Sequence, residues 1–182
     1  SELPKFGDAA MGVGIISDKE AQPITVTTPI GRYAVVTVAR IDNIEELTKE
    51  LLAEGHHFAE LSGSTINATE LVAILIGQGK SIKDGIELVH KKIKGSCSIL
   101  VLTDHAIYAA RDKFGRTPIT IGKSDKGYVC ASESSSFDNL GYEFVRDLGP
   151  GEVVRITADG IHQVTAPGKR KQICSFLWVY YG

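Results

Sequence analysis

Apolar and polar positions alternate with the period of a strand in some segments and recur with the period of a helix in others. Three short strand patterns come first, helical patterns follow, and the pattern changes back from helix to strand near residue 95. Before that point, short runs rich in β-branched and other apolar residues predict three strands. These strands are expected over Gly12–Ile16, Ile24–Thr27 and Arg32–Ala39. The polar segment between the first two runs is expected to be a loop.

Three helices are predicted between the third strand and residue 95. The first starts at Asn43, where a Glu three positions on gives the spacing of a capping box, and it ends at Gly55. The second covers Thr69–Ile76. The third is capped by Ser81, has apolar residues at helical spacing, and ends before Gly95.

Beyond residue 95 the spacing is that of paired strands joined by short turns. Ser134–Leu140 is expected to form a short helix, and Ala166–Lys171 reads as a basic linker. Helices grouped apart from antiparallel strands indicate an α+β fold. The strands are predicted over Cys97–Thr103, Ala106–Ala110, Pro118–Gly122, Tyr128–Ala131, Val153–Thr157 and Ile161–Val164.

Composition narrows the functional classes. A chain of 182 residues with 43% hydrophobic and 23% charged residues is typical of one globular domain. A net charge of -2 argues against a nucleic-acid partner, and no apolar run is long enough to span a membrane. Three widely spaced cysteines indicate reduced thiols, which favours a cytoplasmic protein.

Several motifs in a fixed order carry a resemblance to a known family. They include Arg111–Pro118, Ala131–Ser134, Leu140–Glu152 and Cys174–Tyr181, within a match that runs from about Gly7 to the end. With them the chain resembles the glutaminase domain of the glutamine phosphoribosylpyrophosphate amidotransferases. These amidophosphoribosyltransferases are class II glutamine amidotransferases, and they cleave glutamine with an N-terminal cysteine.

The resemblance implies a fold and a domain organisation. The fold would be the four-layer α-β-β-α sandwich of the N-terminal nucleophile hydrolases, missing its first strands. Residues 1–170 would form the glutaminase-like domain, truncated at its N-terminus, because the family's first segment with the cysteine is absent and the chain begins with Ser1. Residues 171–182 would begin the passage into an absent phosphoribosyltransferase domain. That domain of the same parent chain is the expected partner, within a homo-oligomer.

The family's glutamine pocket maps onto positions whose residues are altered here. Ser17 stands where the family has the Arg that clamps the substrate carboxylate, and Ser cannot make a bidentate contact. Val38 and Ala39 stand at the Asn-Gly pair of the oxyanion hole. Val38 has no side-chain donor, and loss of one such donor typically costs about 2–4 kcal/mol of transition-state stabilisation.

Two further pocket positions lie at the start of the second helix. Ala68 stands where the family has the Asp that holds the substrate amine. Asn67 would take over that role if the loop shifted by one residue. No metal-ligand spacing accompanies these residues, so no metal site or cofactor is expected for this chain.

These substitutions favour a degenerate glutaminase-type domain that is inactive toward glutamine and has a structural or regulatory role. One alternative is a fragment of an active glutamine amidotransferase of purine biosynthesis whose N-terminal Cys segment is missing. Another is a passenger domain of an ammonia- or amine-dependent phosphoribosyltransferase. A third is an interaction module that uses the C-terminal aromatic run.

The resemblance also implies cofactors for the parent protein. Mg²⁺ would bind there together with phosphoribosyl pyrophosphate. Some members of the family hold an iron–sulfur cluster, and Cys174 is the candidate ligand for it in the full-length parent.

Overall fold

The computed structural model describes residues 9–17, 20–62, 65–173 and 179, which form eleven strands and four helices. In chain order these are β1 (Ile24–Thr28), β2 (Gly31–Ile41), α1 (Ile44–Ala53), β3 (Leu61–Ser62), β4 (Thr65–Ile66), α2 (Ala68–Gly77), α3 (Ile82–Lys92), β5 (Gly95–Thr103), β6 (Ile107–Ala110), β7 (Thr120–Ser124), β8 (Gly127–Ala131), α4 (Phe137–Leu140), β9 (Glu143–Asp147), β10 (Val153–Thr157) and β11 (Gly160–Thr165).

The strands form two larger antiparallel sheets and one small hairpin. The first sheet has six strands in the order β1-β2-β5-β6-β10-β11, and the second has three in the order β8-β7-β9. The long pairing of β2 with β5 runs from Tyr33 opposite Thr103 to Ile41 opposite Gly95. It forms the centre of the larger sheet. The hairpin joins β3 and β4.

Helices α1, α2 and α3 cover one face of the six-stranded sheet. Their buried residues, such as Leu51, Leu75 and Ile86, form a single apolar core with Val35 and Val101 of the sheet. Helices α2 and α3 approach closely at Gly85, where a Cβ atom would lie 2.2 Å from the carbonyl oxygen of Ile76. Only glycine fits that contact.

The three-stranded sheet covers the opposite face. Ile121 and Leu148 pack there against Ala109, Val154 and Ile156 of the larger sheet. Because strand residues alternate between faces, Gly122 points away from this second core. A Cβ atom at Gly122 would lie 2.9 Å from the buried ring of Phe137 in α4. The layers are therefore α-β-β-α, with α4 outside the second sheet in the described part of the chain, and the predicted α+β sandwich is confirmed.

The strand predicted over Gly12–Ile16 is wrong. Residues 11–17 belong to no helix or strand, and the first strand of the structure begins at Ile24. Ile16 is fully exposed. Within the described part of the chain the run pairs with no strand, and its residues Gly14, Ile15 and Ile16 line a cavity.

The capping box predicted at Asn43 is also wrong. Helix α1 does start after Asn43, but the Asn43 side chain makes no cap hydrogen bond. It donates from Nδ2 to the carbonyl oxygen of Lys92 and accepts at Oδ1 from the amide of Lys94. The residue therefore ties the start of α1 to the end of α3. At Ser81 the predicted cap is confirmed, since its Oγ accepts from the amide of Asp84.

Several element bounds differ from the predictions by a few residues. Strand β7 starts at Thr120 rather than Pro118, and α4 is shorter than the helix expected from Ser134. Strand β9 was not expected, because it is a mostly exposed edge strand in which charged residues interrupt the apolar ones. The basic linker at residues 166–171 forms no helix or strand. The aromatic run from Cys174 lies almost wholly outside the described residues.

Buried polar groups hold the region between Arg111 and Glu152 together. The Arg111 guanidinium donates to the carbonyl oxygens of Leu148 and Gly115. The Asp112 carboxylate accepts from the amides of Phe114, at 3.0 Å, and Thr117, at 2.9 Å. These bonds fix the loop that leads into β7.

Glu152 is the second centre of this network and is only 1% exposed. Its carboxylate accepts two hydrogen bonds from Arg146, at 2.9 and 3.0 Å, one from the amide of Gly149, at 2.7 Å, and one from Gln163, at 2.8 Å. The bonds join β9, the following turn and β11. Arg111, Asp112, Arg146 and Glu152 with these partners are called the scaffold network below.

Candidate functional site

Two adjoining cavities are lined by residues of β2 and of the chain before β1. The larger has a volume of about 510 Å³ and the smaller about 250 Å³. Residues Ile15, Ile16, Thr37 and Val38 line both. The two cavities therefore meet between β2 and residues 14–17, 20 and 22.

The larger cavity is mostly apolar. Its walls come from β2, β5, the approach to β7 and the end of β8, and they include Val36, Leu100, Ile119 and Cys130. None of its described lining residues is charged. The smaller cavity has one charged lining residue among those described, the acid Glu20.

Three of the five predicted pocket positions come together in the smaller cavity. Ser17, Val38 and Ala39 all line it, next to Glu20 and Thr37. Val38 is 47% exposed, and Ser17 is exposed as well. In β2, Val38 and Ala39 pair with Ser98 and Cys97 of β5, so their backbone is part of the sheet.

The other two positions, Asn67 and Ala68, lie at the start of α2 and are not among the lining residues of this cavity. The Ala68 amide donates to Glu20 Oε1 at 3.3 Å, and Thr69 Oγ1 donates to Glu20 Oε2 at 3.5 Å. Thr69 Oγ1 also lies 2.6 Å from Thr37 Oγ1. The structure therefore brings three of the five positions together, and Ala68 contacts that group through Glu20. The identity of all five as vestigial glutamine-pocket positions stays a prediction.

Asn67 is committed to the fold rather than to a ligand. It is fully buried, and its Oδ1 accepts from the amides of Thr69, at 2.9 Å, and Glu70, at 3.2 Å. Its Nδ2 donates to the carbonyl oxygen of Ala21 at 2.9 Å. Both ends of the amide side chain are therefore occupied.

Sequence reasoning missed three polar residues that shape the site, namely Glu20, Gln22 and Glu70. The Gln22 side chain bonds both the amide and the carbonyl oxygen of Thr37, at 2.8 and 3.4 Å. Glu70 accepts from the amides of Ala59 and Glu60 and so fixes the chain before α2. The N-cap role of Asn67 could have been recognised from Asn67-x-x-Glu70, a capping-box spacing. The roles of Glu20 and Gln22 depend on tertiary contacts and have no such signal.

The cysteine thiols of the described residues are not activated. Cys130 lines the larger cavity, and burial raises the pKa of its thiol to about 12. Burial raises the pKa of the Cys97 thiol further, with an additional contribution from the negative charge of Asp112. Both thiols are protonated at neutral pH, whereas the thiolate is the reactive form. Cys174, the candidate iron–sulfur ligand, lies outside the described residues, so that role stays a prediction.

Two other kinds of feature are absent from the part of the chain that the structure describes. No group of three or more His, Cys, Asp or Glu side chains is arranged there to hold a metal ion. No helix in that part of the chain is long and apolar enough to cross a membrane.

Comparisons with known proteins agree on one group. The sequence profile of a family described as "Glutamine amidotransferase domain" matches residues 9–139. The chain is similar to the amidophosphoribosyltransferase of Archaeoglobus fulgidus, with 33% identity over 164 residues, and covers 36% of that protein. It is 31% identical over 166 residues to that of Synechococcus elongatus and covers 34% of it. These alignments include 90% and 88% of the chain.

A solved structure gives the same result. The fold is similar to that of the glutamine phosphoribosylpyrophosphate amidotransferase from B. subtilis in complex with ADP and GMP. The TM-score is 0.78 and the identity 27%, over 90% of this chain and 36% of that one. The chain therefore spans about a third of the length of the relatives it matches.

Proposed function

The chain belongs to the family of glutamine amidotransferase domains, of the amidophosphoribosyltransferase type, and we propose that it is a member that does not hydrolyse glutamine. Its proposed role is structural or regulatory. In this role it supports a phosphoribosyltransferase domain of the same parent chain, or it binds a different small ligand in the altered cavity. The proposal includes a homo-oligomer and a cytoplasmic location.

The charge of the cavity pair is the observation that carries this proposal. Glutamine has an α-carboxylate and an α-ammonium group, and a site that recognises it needs a cation for the first and an acceptor for the second. Of the described residues that line the two cavities, only Glu20 is charged. No Arg or Lys of these residues can pair with the carboxylate.

The chemistry available at the cavity walls supports the same conclusion. Hydrolysis of an amide needs a nucleophile and donors for the developing oxyanion. The Cys130 thiol is held in its protonated form, because burial raises its pKa to about 12. Val38 has no side-chain donor. Asn67, which does have one, donates it to Ala21.

A glutaminase assay tests the proposal. We expect no release of glutamate from glutamine above background by the purified chain, or by a longer native polypeptide that contains it. The Cys130→Ala variant serves as the matched control, because it removes the one described thiol on the cavity wall. Turnover that persists through repeated purification and scales with protein concentration would refute the proposal.

A further inference from the structure

Three cationic side chains surround the ring of Phe114, on the side of the chain where residues 168–172 pass. The Lys113 ammonium and the Arg116 guanidinium each lie 5.4 Å from the ring centroid, and the Arg170 guanidinium lies 5.3 Å from it. These distances are those of cation–π contacts. Lys169 and Lys171 flank Arg170 in sequence. These three cations at the Phe114 ring, together with Lys169 and Lys171, are called the basic surface below.

The basic surface is held in place by neutral hydrogen-bond partners. Arg116 donates from Nε to Oε1 of Gln172 at 2.7 Å, and Lys113 donates to the carbonyl oxygen of Ile93. The amide of Gln172 donates to the carbonyl oxygen of Phe114 at 2.8 Å. These bonds fix the segment that carries Arg170 against the loop that carries Phe114.

No carboxylate of the described residues neutralises this cluster. The described residues form seven ion pairs, and none of them includes any of the five cations. Asp112 precedes Lys113 in sequence. Its carboxylate accepts hydrogen bonds from the amides of Phe114 and Thr117 and is in none of the seven ion pairs. Neighbouring cations repel one another, and a bound anionic partner would offset that repulsion. Binding of an anion at the basic surface is therefore favourable.

We propose that the basic surface is a docking site for an acidic region of another protein. Lys169, Arg170 and Lys171 are exposed on a segment outside any helix or strand, which presents an open surface. Small ligands are usually enclosed in concave sites, whereas proteins bind open surfaces. Ile173 next to this segment is 62% exposed and adds an apolar contact at the edge.

Two other anionic partners fit these observations less well. The ring of Phe114 is surrounded by its own cations, which leaves little room for a stacked nucleobase. The net charge of the whole chain is -2, which opposes long-range attraction of DNA or an anionic membrane. A local acidic patch is attracted only at short range, within the screening length of about 8 Å at physiological salt.

Binding of labelled octaglutamate to the 182-residue chain, measured by fluorescence anisotropy at low and at physiological salt, tests this proposal. We expect salt-dependent binding that weakens about tenfold or more in the double variant Arg170→Glu, Lys171→Glu. The control double variant, Lys126→Glu with Arg155→Glu, makes the same charge change at exposed positions elsewhere. It is expected to keep most of the binding. Circular dichroism checks that each variant is folded.

A second variant separates the arrangement of the cations from their number. Phe114→Leu keeps every charge but removes the ring around which the cations gather, so we expect a weaker loss of about twofold to fivefold. Tripolyphosphate, phosphatidylserine vesicles and duplex DNA are compared as competing probes. The proposal is overturned if octaglutamate does not bind at low salt, or if both double variants lose binding equally. It is also overturned if a phosphate-bearing probe binds more tightly and depends on the same residues.

Discussion

The scaffold network and the cavity between the sheets use polar residues in opposite ways. In the scaffold network, Glu152 is 1% exposed and Asp112 is 1% exposed, and each carboxylate has several hydrogen-bond donors. At the cavity, Val38 is 47% exposed and the described lining residues include one charged side chain, Glu20. We therefore expect the stability of the fold to depend on the first region far more than on the second.

Residues that hold the fold together and residues that line the cavity differ in how much a substitution should cost. A buried carboxylate that loses its donors destabilises the whole domain, because an unpaired charge stays inside. An exposed position at a cavity rim costs little when it changes, because water takes the place of the lost partner. A chain can therefore keep the fold while the residues that would act on a substrate are replaced.

Glu152→Ala is expected to have the largest effect on stability. The change leaves the Gly149 amide and the Arg146 guanidinium without their acceptor. We expect the free energy of unfolding to fall by about 3 kcal/mol, near the lower end for a broken buried pair, because Arg146 is 40% exposed. Urea unfolding measures the change. Glu143→Ala, an exposed acid in the same strand as Arg146, is the control, and a loss below about 1 kcal/mol at Glu152 would contradict the comparison.

Acid should weaken the scaffold network through Glu152. Burial alone would raise the pKa of this carboxyl, but the hydrogen bonds from Arg146, Gly149 and Gln163 outweigh it and lower the pKa. The unfolded carboxyl titrates near about 4.3, so the stabilisation is complete above that pH and is lost as the pH falls through the lower folded pKa. We expect the free energy of unfolding to decrease as the pH falls below about 4.

The matching variant for this pH dependence is Glu152→Gln, which cannot ionise. Unfolding in urea between neutral pH and about pH 3 should show a smaller acid-induced loss in the variant than in the original chain. Identical slopes would mean that other carboxyls account for the acid sensitivity.

Thr69→Val should have an intermediate effect on stability, because the Thr69 hydroxyl in α2 contacts the hydroxyl of Thr37, a residue that lines both cavities. The hydroxyl is fully buried and lies 2.6 Å from Thr37 Oγ1, so its removal leaves a buried hydroxyl without a partner. We expect a loss of about 1–2 kcal/mol in the free energy of unfolding. Thr27→Val, at an exposed position of β1, makes the same chemical change as a control. Equal effects at the two positions would contradict this role for Thr69.

Val38→Asn should have the smallest effect. Its side chain is 47% exposed at the cavity, so we expect a change of less than about 1 kcal/mol and no gain of glutamine hydrolysis. Val36→Asn, two positions earlier on the same face of β2, is the matched control. Val36 is only 4% exposed, and burial of the amide should cost more than about 2 kcal/mol. A large loss in the free energy of unfolding of Val38→Asn would show that Val38 at the cavity stabilises the fold, and would contradict the comparison.

Much of the fold could be predicted because local patterns agree with the tertiary contacts. Helix α3 follows from its apolar spacing and from the cap at Ser81, and the β10–β11 hairpin follows from Asp159-Gly160. The failures have physical causes. Within Gly12–Ile16, residues 14–16 line a cavity and pair with no described strand, and β9 is an exposed edge strand that carries charged residues. A single sequence gives no signal for either environment.

The candidate site was less accessible to sequence reasoning. Ser17, Val38 and Ala39 were selected by position in a motif order, and they do line one cavity. Glu20 and Gln22 could not be found in this way, because their roles depend on contacts with Ala68 and Thr37, which lie far along the chain. The partner of a side chain across 15 or 48 residues is decided by the fold, and the sequence pattern does not encode it.

Titration of the isotope-labelled chain with glutamine, followed by NMR, tests the central claim most directly. The amides of Thr37, Val38, Ala39, Asn67 and Ala68 report on the cavity pair and on the start of α2. Because no cation lines the described walls, we expect no saturable shift of these amides up to millimolar glutamine, which corresponds to binding weaker than about -4 kcal/mol. Saturable shifts at these positions with a sub-millimolar dissociation constant would contradict the account.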